Sequence, residues 1–463
     1  MESYKNLIEK TFEFPNEEFK INDNQLVFNG VHLEGIIKKY GTPLRLTYLP
    51  KIGEKIQTAR NLFEQTFKKL NYQGNYIYSY CTKSNHFKFI LEETLLHGCQ
   101  IETSSAFDID IIQKLHKENK LKKDILILCN GFKRPQYITN IVNLIEQGFE
   151  NCIPIVDHLE EITAYRTQIT KDFKIGIRCA SDEEPQFEFY TSRLGIRYTD
   201  IIDHYHKEIA PYPNIKLKVL HFFINSGIKD NSYYWSELNR IVHKYCELKK
   251  VCPELDTLDI GGGFPIKTSL NFSYDFEHIV TEITKTIQRI CLENDVTEPH
   301  LITEFGSYTV AESGAMIYSI LNKKLQNDKE LWYMIDSSFI TNMPDTWAVN
   351  QRFILLGINN WNSEYQKVNL GGLTCDSMDY YNSETHSANV YLPKFDNTKE
   401  EQYIGFFNTG AYQESIGGYG GIQHCLIPNT KHIVITKDEN GNLIDELFED
   451  EQSSEAMLKI LGY

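Results

Sequence analysis

From about residue 40 to residue 300 the chain alternates short apolar runs with longer amphipathic, charge-rich stretches, and this rhythm restricts the folds open to it. The apolar runs are "PLRLTYL", "NYIYSYCT", "CQIETSS", "DILILCN", "CIPIVD", "FKIGIRCA", "KVLHFFIN", "TLDIGGG" and "HLITEFG". Between them lie helical patterns such as "KIQTARNLFEQTFKKLN", "AFDIDIIQKLHKEN", "QYITNIVNLIEQGFE" and "YYWSELNRIVHKYCELKKV". Strands buried on both faces read as near-continuous apolar runs, and parallel neighbours have to be joined by crossovers long enough for a helix. A parallel sheet follows. About eight such units favour closure into a (β/α)8 TIM-like barrel over an open sheet.

Beyond residue 305 the texture changes. The segments "YTVAESGAMIYSILNKKLQ", "WYMIDSSF", "ANVYLP", "YIGFFNTGAY" and "KHIVITKDENGNLI" are strand-like with turn residues between them, so a second, mainly β domain is expected. The N-terminal "FKINDNQLVFNGVHL" could join that sheet. The expected organisation is therefore N-terminal strands over 1–40, a barrel over 41–300 and a mainly β domain over 301–463. A chain of 463 residues exceeds what one hydrophobic core organises, which agrees with two domains.

A net charge of −16 argues against nucleic acid or an anionic membrane as partner and suits a small cationic substrate. The N-terminus lacks a signal-peptide pattern and no apolar stretch is long enough to span a membrane, which together point to a cytoplasmic enzyme. Ten cysteines are scattered without a CxxC pair, so neither a metal site nor a disulfide framework is expected. Most read as small buried hydrophobes.

In a barrel, functional side chains sit at the C-terminal ends of strands. Lys83, Glu102, Asn130, Arg178, the "INSG" run at 224–227, the "GGG" run at 261–263 and Glu304 all fall there. A strand-end lysine is usually a solvated charge, and three glycines alone are often a tight turn. Together they mean more. Gly261, Gly262 and Gly263 follow a buried strand and let backbone N–H groups approach an anion, and a lysine beside a phosphate cup suggests pyridoxal phosphate.

The motifs "YCTKSN", "IETSS", "NGFK", "SRLGI", "HFFINSG", "LDIGGGFP", "TEFGSY", "LTCDSMD" and "FFNTGAYQE" occur in this order. In order and spacing the chain resembles the barrel-type (alanine racemase-like, fold-type III) pyridoxal-phosphate decarboxylases of basic amino acids. The resemblance implies that Lys83 is the Schiff-base lysine and that Glu304 contacts the pyridine nitrogen. It implies that Ser226, Gly263 and Tyr412 hold the phosphate, with Glu102 and Arg178 at the mouth. It further implies that Cys375 returns a proton to Cα, that Asp376 receives the substrate's distal cation, and that "TCDS" enters the site from a second subunit, making a homodimer the active unit.

Two positions depart from that family. Phe223 stands where a histidine stacks on the cofactor ring, with His221 as the outer histidine, and Ser307 replaces an arginine that pairs with the phosphate. The segments "MPDTW" and "GAYQE" are similar to biosynthetic arginine decarboxylases, notably those of Bacteroidetes type, and the implied product is agmatine, a polyamine precursor. A guanidinium calls for planar acids; Asp376 is the first candidate, with Asp345 and Asp336 as helpers. "MPDTW" could equally be a turn packing Trp347 into the core. Lysine, ornithine or diaminopimelate decarboxylation stays open, as does a catalytically silent homologue that binds a protein partner.

Overall fold

The computed structural model describes residues 2–181, 192–396 and 400–463. Its contacts divide the chain into two compact units: Gly53–Pro265 with Tyr274–Thr309, and Met1–Ile52 with Ile266–Ser273 and Val310–Tyr463.

The first unit is built on eight parallel strands, β1 (Tyr76–Cys81), β2 (Gln100–Thr103), β3 (Ile127–Cys129), β4 (Cys152–Val156), β5 (Phe173–Ala180), β6 (Ile215–His221), β7 (Thr257–Asp259) and β8 (His300–Glu304). Each pairs in parallel with the next, and β8 pairs with β1, so the sheet closes into the expected barrel. Helices Ala106–Lys117, Pro135–Glu146 and Ser232–Val251 supply crossovers where the helical patterns predicted them, and Phe276–Glu293 adds another. Their starts are written locally. Ser105 and Asp108 form a capping box, Asn231 and Asp275 cap with their side chains, and Pro135 occupies the first turn. Leu128, Ile153, Ile155, Val219 and Ile302, from four of the strands, pack together as one cluster, in keeping with a filled barrel whose chemistry is confined to its rim.

The second unit holds a ten-stranded mixed sheet whose longest strand is Gly314–Gln326. Here the structure corrects two expectations. Leu44–Tyr48, counted among the barrel runs, lies in this sheet, antiparallel to Gly314–Gln326 and parallel to Lys431–Lys437. An apolar run followed by a helix, here Pro50–Leu70, looks the same whichever sheet it enters, because the partner is chosen by pairing far along the chain. The N-terminal strands Phe19–Asn22, Gln25–Phe28 and Val31–His32 fall in the same compact unit as the large sheet but form their own antiparallel sheet instead of extending it. Phe19 and Phe28 pack against Phe407 of the large sheet, with ring centroids 4.8 and 4.9 Å away, edge-on and tilted respectively. Among the described residues no helix is long and apolar enough to cross a membrane.

Candidate functional site

Lys83 occupies a short 3-10 turn, Thr82–Ser84, immediately after β1. Its ammonium donates to Glu102 Oε2 at 2.7 Å, and the other carboxylate oxygen accepts from Ser104 Oγ at 3.0 Å. Glu102, on β2, is fully buried, whereas 43% of the Lys83 side chain is exposed. One side of the ammonium is thus anchored by a desolvated charge while the side chain remains accessible, which holds a nucleophilic amine at a defined place.

Across the mouth, Glu304 ends β8 and accepts from Asn130 Nδ2 at 2.7 Å, with Asn130 just after β3. His221 and Asp259 end β6 and β7, and His221 Nδ1 lies 3.1 Å from Asp259 Oδ2. All three ionisable side chains are buried and their ligating atoms fall within 4.8 Å of one another. Burial raises Glu304 to about 8, with the Asp259 charge adding to it, and raises Asp259 to about 7. Burial also lowers His221 to about 4, which leaves the imidazole neutral near neutral pH. The cluster is rich in carboxylate and short of cation. Arg178 lies opposite His221 in the β5–β6 register, and its guanidinium sits 5.8 Å from the half-buried Phe223 ring.

Two glycine turns meet beside this cluster. Gly261, Gly263 and Gly227 have φ of +67°, +106° and +79°. A Cβ on Gly263 would fall 2.6 Å from Gly227 Cα, and one on Gly262 would fall 2.5 Å from the Glu304 carbonyl oxygen, so side chains are excluded by contact as well as by dihedral angle. Asp259 Oδ1 accepts from the Gly261 N–H at 2.8 Å, and Gly263 O accepts from the Ile228 N–H at 2.9 Å. Ser226 Oγ, between the two turns, is buried without a hydrogen-bond partner among the described residues, an arrangement that leaves a donor for an oxyanion.

The remaining sequence-predicted residues belong to the second unit. Tyr412 is half-buried with φ +67°, a left-handed conformation that a bulky residue adopts only where its surroundings hold it. Gln413 Nε2 donates to Asp345 Oδ2 at 2.8 Å, joining "GAYQE" to "MPDTW". Burial raises the Asp345 carboxyl. Trp347 is 53% exposed, which corrects the expectation that it packs into the core. Asp336 accepts from Ser319 N at 3.1 Å and Ser319 Oγ at 2.8 Å, so both of its oxygens are committed within the sheet. Asp376 is exposed and accepts from Met378 N at 2.8 Å; Cys375 beside it is also exposed, with its Sγ 3.5 Å from Cys425 Sγ.

Sequence reasoning missed three features. Asp259 was read as strand, although a charged residue closing a run as apolar as "TLD" is the available signal, and His221, named only as the outer histidine, was not paired with it. Lys133, in "NGFK", is buried against Glu161 at 3.1 Å. The absence of a CxxC pair led to no expected metal site, yet Cys375, His424 and Cys425 place their ligating atoms within 4.8 Å of one another.

Residues 53–311 match the family described as pyridoxal-dependent decarboxylase, pyridoxal binding domain. The chain is 23% identical to the biosynthetic arginine decarboxylase of Prochlorococcus marinus strain MIT 9215, with 92% of this chain and 83% of that protein covered. The crystal structure of the biosynthetic arginine decarboxylase from Campylobacter jejuni superposes with a TM-score of 0.81 at 19% identity, covering 100% of this chain and 91% of that one. A diaminopimelate decarboxylase from M. jannaschi gives 0.76 at 17% identity, covering 96% and 97%. The group named by the family fits the barrel mouth on two counts. Its phosphate would suit the glycine turns and the buried Ser226 hydroxyl, and a cationic ring nitrogen would suit the buried carboxyl groups of Glu304 and Asp259.

Proposed function

The chain belongs to the pyridoxal-dependent decarboxylases, with pyridoxal phosphate as cofactor and a basic amino acid as substrate class, and on that premise we propose that it converts L-arginine to agmatine and CO2. The observation that carries the choice of arginine is the Gln413–Asp345 contact. It joins the two segments most similar to arginine decarboxylases, and likeness to such enzymes runs over nearly the whole chain.

Bound pyridoxal phosphate supplies a conjugated ring that accepts the electron pair released when the α-carboxylate departs. Lys83 is the amine that holds the cofactor, and Glu102 keeps that amine in place. Glu304, oriented by Asn130, holds the proton on the ring nitrogen, where its carboxylate stabilises the positive charge. Ser226, Gly262, Gly263 and Tyr412 would bind the phosphate, with Gly261, whose N–H is held by Asp259, setting the turn that presents them; Phe223 would offer an apolar face to the ring, with Arg178 beside it. Because Ser307 offers no guanidinium, backbone N–H groups carry most of the phosphate binding. Asp376 receives the guanidinium with Asp345 as helper, and Cys375 returns the proton to Cα. Cys375 and Asp376 act on a partner subunit's site, which makes the homodimer the active form.

The test is CO2 release from purified, cofactor-loaded protein with L-arginine, L-ornithine, L-lysine and meso-diaminopimelate in parallel. Borohydride reduction followed by peptide mapping locates the cofactor. Release from arginine well above the others, with the cofactor on Lys83, is the expected result. Preference for another amino acid overturns the substrate; bound cofactor with no release from any of them overturns catalysis.

A further inference from the structure

Of the chain's ten cysteines, eight are buried and two, Cys375 and Cys425, are exposed. Free cysteine is among the most buried residue types, so two thiols exposed in the single chain are already unusual, and here they adjoin. Their sulfurs are 3.5 Å apart, and the exposed His424 completes a group whose ligating atoms all lie within 4.8 Å of one another. A tetrahedral ion with two Zn–S bonds of ~2.3 Å holds its sulfurs about 3.8 Å apart. The observed separation therefore needs only a small adjustment to accept such an ion. Two soft thiolates with one imidazole select thiophilic ions over magnesium or calcium, which take oxygen ligands.

We propose that Cys375, His424 and Cys425 form a three-ligand site for a thiophilic divalent cation such as Zn2+, with a water completing the tetrahedron. Binding displaces the two thiol protons into solvent as both sulfurs become thiolates. Resting on the role given above to Cys375, the bound ion occupies the thiol that returns the proton and so inhibits decarboxylation reversibly.

The experiment titrates reduced, chelator-stripped holoenzyme with Co2+ and then with Zn2+. Tetrahedral thiolate coordination gives Co2+ intense visible d–d bands at longer wavelength than the cofactor's absorption. The expected result is one such Co2+ per chain, displaced by Zn2+, with Cys425→Ser and His424→Ala each weakening binding ~10-fold or more. Weak octahedral bands alone, or tetrahedral bands unaltered in both variants, overturn the site. Zn2+ inhibition of the wild type that chelator reverses and Cys425→Ser resists supports the site and its consequence. Tetrahedral binding lost in Cys425→Ser but without effect on CO2 release still supports the site, and removes Cys375 from the proposed chemistry instead.

Discussion

Replacing Gly263 with alanine tests the architecture of the phosphate cup, because the structure supplies both the perturbation and its control. The new Cβ would fall 2.6 Å from Gly227 Cα and 3.1 Å from Ile228 N, atoms of backbone that cannot rotate away. Carbon atoms rest about 3.5–4.0 Å apart, so the turn bearing Ser226 has to retreat by about 1 Å. Gly148 provides the comparison. It lies in the same unit with φ +94°, close to the +106° of Gly263, but a Cβ there meets nothing within 4 Å. Both variants incur the left-handed penalty of about 1–2 kcal/mol. Only Gly263→Ala adds the crowding, at about 1–3 kcal/mol. If that displacement falls on the cup, the cofactor Kd rises about 5- to 150-fold in Gly263→Ala, at 1.4 kcal/mol per decade, and stays within about twofold in Gly148→Ala. Fluorescence titration of cofactor into stripped protein reads this directly. Equal affinities in the two variants would refute the assignment of the glycine turns to phosphate.

Cofactor-free protein should lose stability as pH rises from about 6.5, above which the histidines are neutral in both states, to about 8. Glu304, raised to about 8, and Asp259, raised to about 7, keep protons in the fold that the unfolded chain releases near ordinary carboxyl values. The folded state binds more protons across that window, so its advantage is full below the unfolded values and is lost as pH climbs through the folded ones, an effect on the order of a few kcal/mol. Calorimetric midpoints across the window should fall in the wild type and fall much less in Glu304→Gln; midpoints that rise toward alkaline pH in both would contradict the buried cluster. Glu161→Ala leaves the Lys133 ammonium buried against the carbonyls of Gly131 and Ile155. Breaking such a pair costs about 3–5 kcal/mol, which lowers the melting temperature by about 6 °C or more, and a shift under a degree would show that the pair is not desolvated as described.

Much of this was readable from sequence for a local reason. A strand buried on both faces has to be apolar along its length, and a parallel neighbour has to be reached through a helix, so β1 to β8 and their crossovers show in the periodicity alone. Barrel closure then puts strand ends at one rim, which is why Lys83, Glu102 and Glu304 could be named before any coordinate was known. Element type, burial face and the list of rim residues were thus determined by the sequence itself.

Contacts were decided elsewhere. Leu44–Tyr48 has the composition of a barrel strand and enters the other sheet because its partners Gly314–Gln326 and Lys431–Lys437 lie far along the chain. The approach of Gly227 to Gly263, the His221–Asp259–Glu304 cluster and its displaced pKa values, and the meeting of Cys375 with His424 and Cys425 come from the same source. Periodicity reports what each residue does with water over a few turns of chain. Which distant group becomes its neighbour, and at what distance, is settled only when the long-range pairings close and desolvation acts on the groups they bring together.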